Sequence, residues 1–395
     1  MRNDNTANIS RPMAALGWYH RQVRAMRPWR VCLIAFALLL ILDVRVRRIE
    51  SVPDLVYRNE TRHQAATPYM LARMRSGTPS IAFLGDSVMQ GLVTTPPNRT
   101  AAVLIQNQLR ANGFDVTGFN LSSMGAQMGD HYAVGVGAMR NGADALVVSI
   151  HYKLFSSHPM FANPLRYKQT AFYLRDEPDL GPALAKLGVS PKEWLAIRVR
   201  GNLANVWGLY RYRGLLSQVV TGSYDNPLVQ IEDRWAKQLG VVIESDPGRN
   251  ILRALEARDR DRENLWMDML KAHHDAEREV FGQMAINRYN DHLAMLVRLA
   301  KRAKKNRVPM LMYYTPQNRR LIDRENYFNW ENFAYFQRKL AEAVEGTDIR
   351  VADMTDAVPA EHFTDSDHIT RRGHEILAAE MYPHIEAMWK EASDR

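Results

Sequence analysis

A serine hydroxyl becomes a nucleophile when a base takes its proton, and the base works best when an acid orients it. The chain offers residues for all three parts. Gly85-Asp86-Ser87 follows the apolar run SIAFL, and Asp365-Ser366-Asp367-His368 stands near the C-terminus. Asp365 precedes His368 by three residues, a spacing that lets carboxylate and imidazole meet in a turn-like segment. Asp367 is adjacent to the histidine and is expected to point elsewhere. The pattern predicts acyl transfer, with Ser87 as nucleophile, His368 as general base and Asp365 as its orienting acid. Alone, Gly-Asp-Ser is a weak signal, common enough by chance in chains of this size. Its place after an apolar strand is what strengthens it, because ligands of open parallel sheets bind outside the carboxyl ends of strands.

Other polar residues rank lower. His131 follows Asp130 and is a candidate for lining the site. His273 and His274 lie in a charged helical stretch and read as solvated, and His374, just before the last helix, reads as a packing or capping residue. Neither the histidines nor the single cysteine, Cys32, are spaced for zinc, and neither metal nor cofactor is expected.

The elements that must carry these residues alternate. Short apolar runs at 80–88, 116–121, 145–150, 308–314 and 348–354 predict strands. Helices are predicted near 68–75 and over 101–111, 129–142, 286–305, 331–345 and 370–390. Strands alternating with helices imply a parallel sheet covered on both faces, an α/β class. Residues 156–280 break the rhythm. They are largely helical in composition, carry Trp194, Trp207, Trp235 and Trp266, and show Pro- and Gly-bearing breaks near 221–227 and 246–248. An insertion between the third and fourth strands opens at the carboxyl edge of the sheet. It is expected to overhang the site as a lid or substrate platform, with the tryptophans, Tyr210 and Tyr212 as flat apolar surfaces. The alternative is that these aromatics form the insertion's own core.

IAFLGDSVMQGL resembles the first block of the SGNH/GDSL hydrolase superfamily, and DSDHITRRGHEILA resembles its last block, an Asp-x-x-His followed by a helix. RVADMTDAVPAEHF resembles the strand and loop that precede that block. The resemblance covers about residues 80–155 and 286–390. It implies a three-layer, flavodoxin-like SGNH fold over 80–395, with the helical insertion 156–280 inside it. It also implies an oxyanion hole. The backbone N–H of Ser87 would be one donor, and Asn120-Leu-Ser-Ser-Met-Gly125 resembles the block that supplies a glycine N–H, here Gly125. The family's third block, Gly-x-Asn-Asp, lends an Asn side chain. Here the matching strand end reads SIHYKLF and has no Asn, leaving His151, Tyr152 or Lys153 as possible substitutes, or a site with two donors.

Six of the nine net positive charges fall in residues 1–50, which hold nine Arg against three acids. Twelve uninterrupted apolar residues, Val31 to Leu42, follow Arg21, Arg24, Arg27 and Arg30. Basic charge beside an apolar run points to lipid and topology, and nucleic acid is not an expected partner. Residues 1–50 are read as a basic N-terminus with an uncleaved signal anchor at 31–44. Residues 51–79 are read as a linker and lead-in helix. The charge balance leans toward a cytoplasmic N-terminus and a periplasmic or extracellular catalytic domain.

An SGNH domain behind one anchor, with the third-block Asn missing, resembles the envelope-polysaccharide O-acylation proteins of that superfamily. The resemblance implies an acyl-ester donor, a polysaccharide or glycoconjugate acceptor and a multispanning membrane acyltransferase as partner. Hydrolase and transferase both remain open. So does a catalytically weak or inactive SGNH-fold binding or scaffold subunit.

Overall fold

In a computed structural model of the protein, residues 28–47, 62–155 (apart from 76, 92–94 and 96), 161–212 and 291–393 (apart from 326–328 and 348) are described. Helix α1 spans Pro28–Arg47 and α2 Arg62–Met74. Strand β1 (Ser80–Leu84) leads into the short α3 (Ser87–Gln90), followed by α4 (Ala101–Ala111), β2 (Thr117–Asn120), α5 (Met128–Arg140) and β3 (Ala145–Ile150). The inserted region contributes α6 (Leu180–Lys186), α7 (Pro191–Val206) and α8 (Gly208–Arg211). The chain is described again from α9 (Asp291–Lys305) through β4 (Met310–Tyr314), α10 (Arg319–Glu325), α11 (Trp330–Val344), β5 (Ile349–Asp353) and α12 (Arg371–Ser393).

The five strands among the described residues are all parallel, in the order β2-β1-β3-β4-β5. This is the flavodoxin-like order, in which the chain reverses its direction of travel across the sheet between β1 and β3. Side chains alternate across the strands and build two cores. Ala82, Leu84, Leu146, Val148, Met310 and Met312 join the core under α5, α9 and α11. Ile81, Phe83, Ala145, Val147, Leu311 and Tyr313 join the one under α4 and α12. Burial on both faces explains why β1, β3 and β4 read as nearly continuous apolar runs, broken only by the buried Ser80 and Ser149.

The expected elements lie close to the observed ones, with two corrections. The run 80–88 is not one strand: β1 stops at Leu84, because the Asp86 carboxylate accepts the Val88 N–H at 3.0 Å and starts a helix at Ser87. α10, absent from the expectation, is a seven-residue, charge-rich helix without an apolar stripe.

Helix α1 carries the whole 31–42 run. Leu33, Ile34, Phe36, Leu38 to Leu42 and Val44 are exposed, whereas Asp43 is buried and accepts the Leu209 N–H at 2.6 Å. Among the described residues no helix is long and apolar enough to cross a membrane. Of the insertion's aromatics, Trp207 is exposed and stacks on Tyr210, with ring centroids 6.1 Å apart and planes at 18°. Trp194 packs against the core, and Tyr212 is buried edge-on to Tyr69. Trp235, Trp266, His273, His274, the breaks at 221–227 and 246–248 and the linker 48–61 lie outside the described residues.

Candidate active site

The site forms where β1 and β3 end, at the point where the strand order reverses. Three loops build it. The first is the turn from β1 into α3. Gly85 is required there by close approach: a Cβ would sit 2.6 Å from both Met89 Cβ and Ser149 Oγ. Asp86 caps α3 and Ser87 is its first residue, with Gly91, in the left-handed region at φ 74°, ending the helix one turn later.

The second loop follows β2. Asn120 Nδ2 donates to the Met89 carbonyl at 3.1 Å and Ser123 N–H donates to the Gly85 carbonyl at 3.0 Å, tying this loop to the serine turn. Gly125 adopts φ 63°, and the Arg166 guanidinium lies against it so closely that a Cβ would meet Nη1 at 2.3 Å. Arg166 is held from behind, since the Asp130 carboxylate accepts the N–H groups of Gln127, Arg166 and Tyr167 at 2.9–3.0 Å.

The third loop lies between β5 and α12. Asp365 Oδ1 accepts the N–H groups of Asp367 (2.9 Å) and His368 (2.5 Å), a side-chain turn that aims the other oxygen at the imidazole. The loop is pinned from β4's end by Asn318, whose N–H donates to the Ser366 carbonyl (2.8 Å) and whose Nδ2 donates to that of Asp365 (2.9 Å).

These loops bring the expected residues together. His368 Nε2 lies 2.7 Å from Ser87 Oγ, and His368 Nδ1 lies 2.5 Å from Asp365 Oδ2. With Nδ1 donating to the carboxylate, Nε2 is left to accept the serine proton. Burial would push the His368 pKa down; the Asp365 and Asp367 carboxylates overcome this and hold it well above the ordinary 6.5.

Compared with known proteins, the chain matches no family model and no curated protein. The chemistry of the site therefore rests on its own geometry.

Asp367 departs from the expectation that it points elsewhere. Its Oδ1 approaches His368 Nδ1 at 3.1 Å, while its Oδ2 bonds Lys153 Nζ and lies 2.8 Å from His151 Nε2. The second of these contacts has ion-pair rather than linear hydrogen-bond geometry. His151 Nδ1 in turn meets Asp86 Oδ2 at 2.7 Å. Asp86, His151 and Asp367 are all almost fully buried. Burial works against the charged carboxylates, but His151 and Lys153 hold the Asp86 pKa below its usual value, and Lys153, His368 and His151 hold that of Asp367 well below.

The residues weighed as stand-ins for the missing Asn are placed as follows. Lys153 binds Asp367, and Tyr152 is buried edge-on to Phe333 at 4.9 Å. Ligand atoms of Asp365, Asp367 and His368 come within 4.8 Å of one another, spacing that suits a cation. These residues already bond one another, and Asp367 also bonds Lys153 and lies beside His151.

His131 is buried under the serine turn and lines a small cavity with Gly85, Ser123 and Asp130. Burial pushes its pKa down to about 4, so it is neutral. His374 is also buried, and its Nδ1 accepts the Ala101 N–H at 3.3 Å, where α4 begins. Sequence reasoning misses the bridging place of His151 and the inner role of Asp367. The one available signal is a cluster of polar residues, His151-Tyr152-Lys153, at the end of a strand that is otherwise apolar.

Proposed function

We propose that this protein is a serine-dependent acyl-ester hydrolase or O-acyltransferase of the SGNH/GDSL type, working through an acyl-serine intermediate. The observation that carries this reading is the continuous chain Ser87 Oγ–His368–Asp365 at the carboxyl edge of the sheet. His368 Nε2 takes the Ser87 proton as Oγ attacks the ester carbonyl. The N–H groups of Ser87 and Gly125 hold the oxyanion, and the collapse of the adduct returns the proton to the leaving alcohol. Asp365 keeps Nδ1–H pointed inward and stabilises the imidazolium. Water then releases the acyl group as an acid, or a sugar hydroxyl takes it as a new ester.

An SGNH-type domain behind a single N-terminal apolar segment, with the third-block Asn missing, supports the finer reading, an acyl group moved onto or off a cell-envelope polysaccharide or glycoconjugate. In that reading residues 31–44, whose large apolar side chains on α1 are exposed, anchor the protein in a membrane. The domain acts on the periplasmic or extracellular side, beside a multispanning acyltransferase.

A fluorophosphonate probe tests the core of the proposal. It should label the full-length protein, and Ser87→Ala should lose the label entirely. The competing reading is a binding or scaffold subunit on the same fold, favoured by the missing third-block Asn. Absence of labelling in a folded protein would establish that reading instead.

A further inference from the structure

The second histidine is the feature the acyl-serine reading leaves unused. His151 directly follows β3, the central strand of the sheet, and is buried with a carboxylate against each ring nitrogen: Asp86 Oδ2 at 2.7 Å from Nδ1 and Asp367 Oδ2 at 2.8 Å from Nε2. A neutral imidazole has one N–H and can satisfy one such contact. The other would set a nitrogen lone pair against an oxygen lone pair, unless one of the carboxyls kept its proton. Both acids are in use as acceptors. Asp86 Oδ1 takes the Val88 N–H, and Asp367 Oδ2 takes the Lys153 ammonium. With two ring protons and both acids ionised, Nδ1–H donates to Asp86 and Nε2–H faces Asp367 as an ion pair.

We propose that His151 is a positioning residue, a buried imidazolium that bridges Asp86, beside the candidate nucleophile, to Asp367, beside the candidate base. The bridge has two effects. It fastens the β1–α3 turn to the loop before α12, segments far apart in sequence that must meet within one hydrogen bond. It also occupies Asp367, so that Asp365 acts on His368 as the principal carboxylate. Two uncompensated carboxylates at Nδ1 would make His368 so strong a base that it stayed protonated near neutral pH and could not accept the Ser87 proton. Lys153 shares this compensating role from the exposed side.

The charged and titratable groups around the bridge come from every neighbouring element. Lys153 comes from the turn after β3, Asp86 from the β1 end, and Asp365, Asp367 and His368 from the loop before α12. His131 on α5 and Tyr313 on β4 act on or feel Asp86, and His374 on α12 feels His368. Burial drives His131 and His374 to the neutral form and keeps the Tyr313 phenol protonated, so that among the described residues His151 and Lys153 are the cations compensating Asp367. The directions agree with this: burial and Lys153 push His151 down, and Asp367 and Asp86 bring it above its ordinary value.

The kinetic arm of the test rests on the acyl-serine reading, and the spectroscopic arm does not. In the full-length protein, the fluorophosphonate labelling rate is measured against pH for wild type, His151→Gln, Lys153→Met and Asp367→Asn. His151→Gln should move the acidic limb up by about one pH unit. Lys153→Met should move it in the same direction by less, and Asp367→Asn should move it down. Opposite signs for the cation and carboxylate variants are not what general loosening of the site produces. An unmoved limb in His151→Gln, or a shift of the same sign in His151→Gln and Asp367→Asn, overturns the proposal.

Nitrogen-15 spectra of histidine-labelled Ser87→Ala protein at pH 7.5, assigned with His151→Gln or, if that variant does not fold, by residue-specific labelling, give the second readout. Two protonated nitrogens at His151 support the bridge, and a neutral tautomer overturns it. If wild type takes no label at any pH, the acyl-serine reading fails, and these spectra alone decide the bridge.

Discussion

At the carboxyl edge of the sheet, three carboxylates (Asp86, Asp365 and Asp367) are buried together, each matched by a cation, an imidazole or a backbone N–H. On the arm formed by α1, α7 and α8 the opposite holds. Leu38, Leu40 and Ile41 of α1, Leu195, Val199 and Val206 of α7, and Trp207 face outward. Both arrangements run against the usual sorting of residues, in which charge stays wet and large apolar groups stay dry. The difference lies in what compensates. At the edge, the charges answer one another within the chain. The arm offers an apolar surface, with α1 tied into the fold through the buried Asp43 carboxylate on the Leu209 N–H. In the proposed reading, chemistry belongs to the first region and surface association to the second.

Substitutions that separate the two regions rank by expected effect. The largest, after loss of Ser87 itself, is Asp365→Asn. The amide keeps the shape of the turn but loses the charge and the tautomer control, and the labelling rate should fall by about 10⁴-fold. Asp367→Asn should cost far less at neutral pH, because His151 and Lys153 already compensate that carboxylate. Equal losses for the two variants would collapse the distinction between orienting acid and compensated acid.

Gly125→Ala comes next. It places a Cβ on a left-handed residue and into the Arg166 guanidinium, so the loop must move, and loss of one oxyanion donor lowers the rate by about 10²-fold. Full activity in a folded Gly125→Ala protein would remove Gly125 from the oxyanion hole.

pH gives a smaller, graded effect. His368 must be neutral to act as a base, and its pKa is raised above 6.5, so its competent fraction is small below that pKa and grows as pH rises through it. The wild-type labelling rate should rise by about tenfold or more between pH 6 and pH 8. A rate flat over that range would contradict the raised base.

The smallest effect on chemistry belongs to the arm. Leu38→Glu with Ile41→Glu on α1 should leave labelling within about twofold, as surface substitutions away from a site usually do. The same pair should release the protein from the membrane fraction on carbonate extraction. A large loss of labelling would mean that the arm and the edge are coupled, and unchanged fractionation would remove the membrane from the reading of α1.

Much of the edge is legible in the sequence. Ser87 follows an apolar run, and Asp365 and His368 are local to each other, so spacing alone carries their relation. The strands are equally plain, because burial on both faces writes each as a short apolar run. The sequence misleads where a single side chain decides the backbone. Asp86 reads as part of a strand that runs to residue 88, and its cap on the Val88 N–H ends that strand early. α10 lacks the apolar stripe by which a helix announces itself.

The sequence by itself thus determined the alternation of strands and helices, the serine turn and the Asp365–His368 pair, all of which rest on neighbours within a few residues. Only the tertiary structure decided that Asp367 turns inward, that Lys153 serves Asp367, and that His151 stands between Asp86 and Asp367. The physical reason is range. A local hydrogen bond leaves its mark in spacing, whereas a buried charge takes whichever partner the folded sheet brings within about 3 Å, and the sequence around it does not say which partner that is.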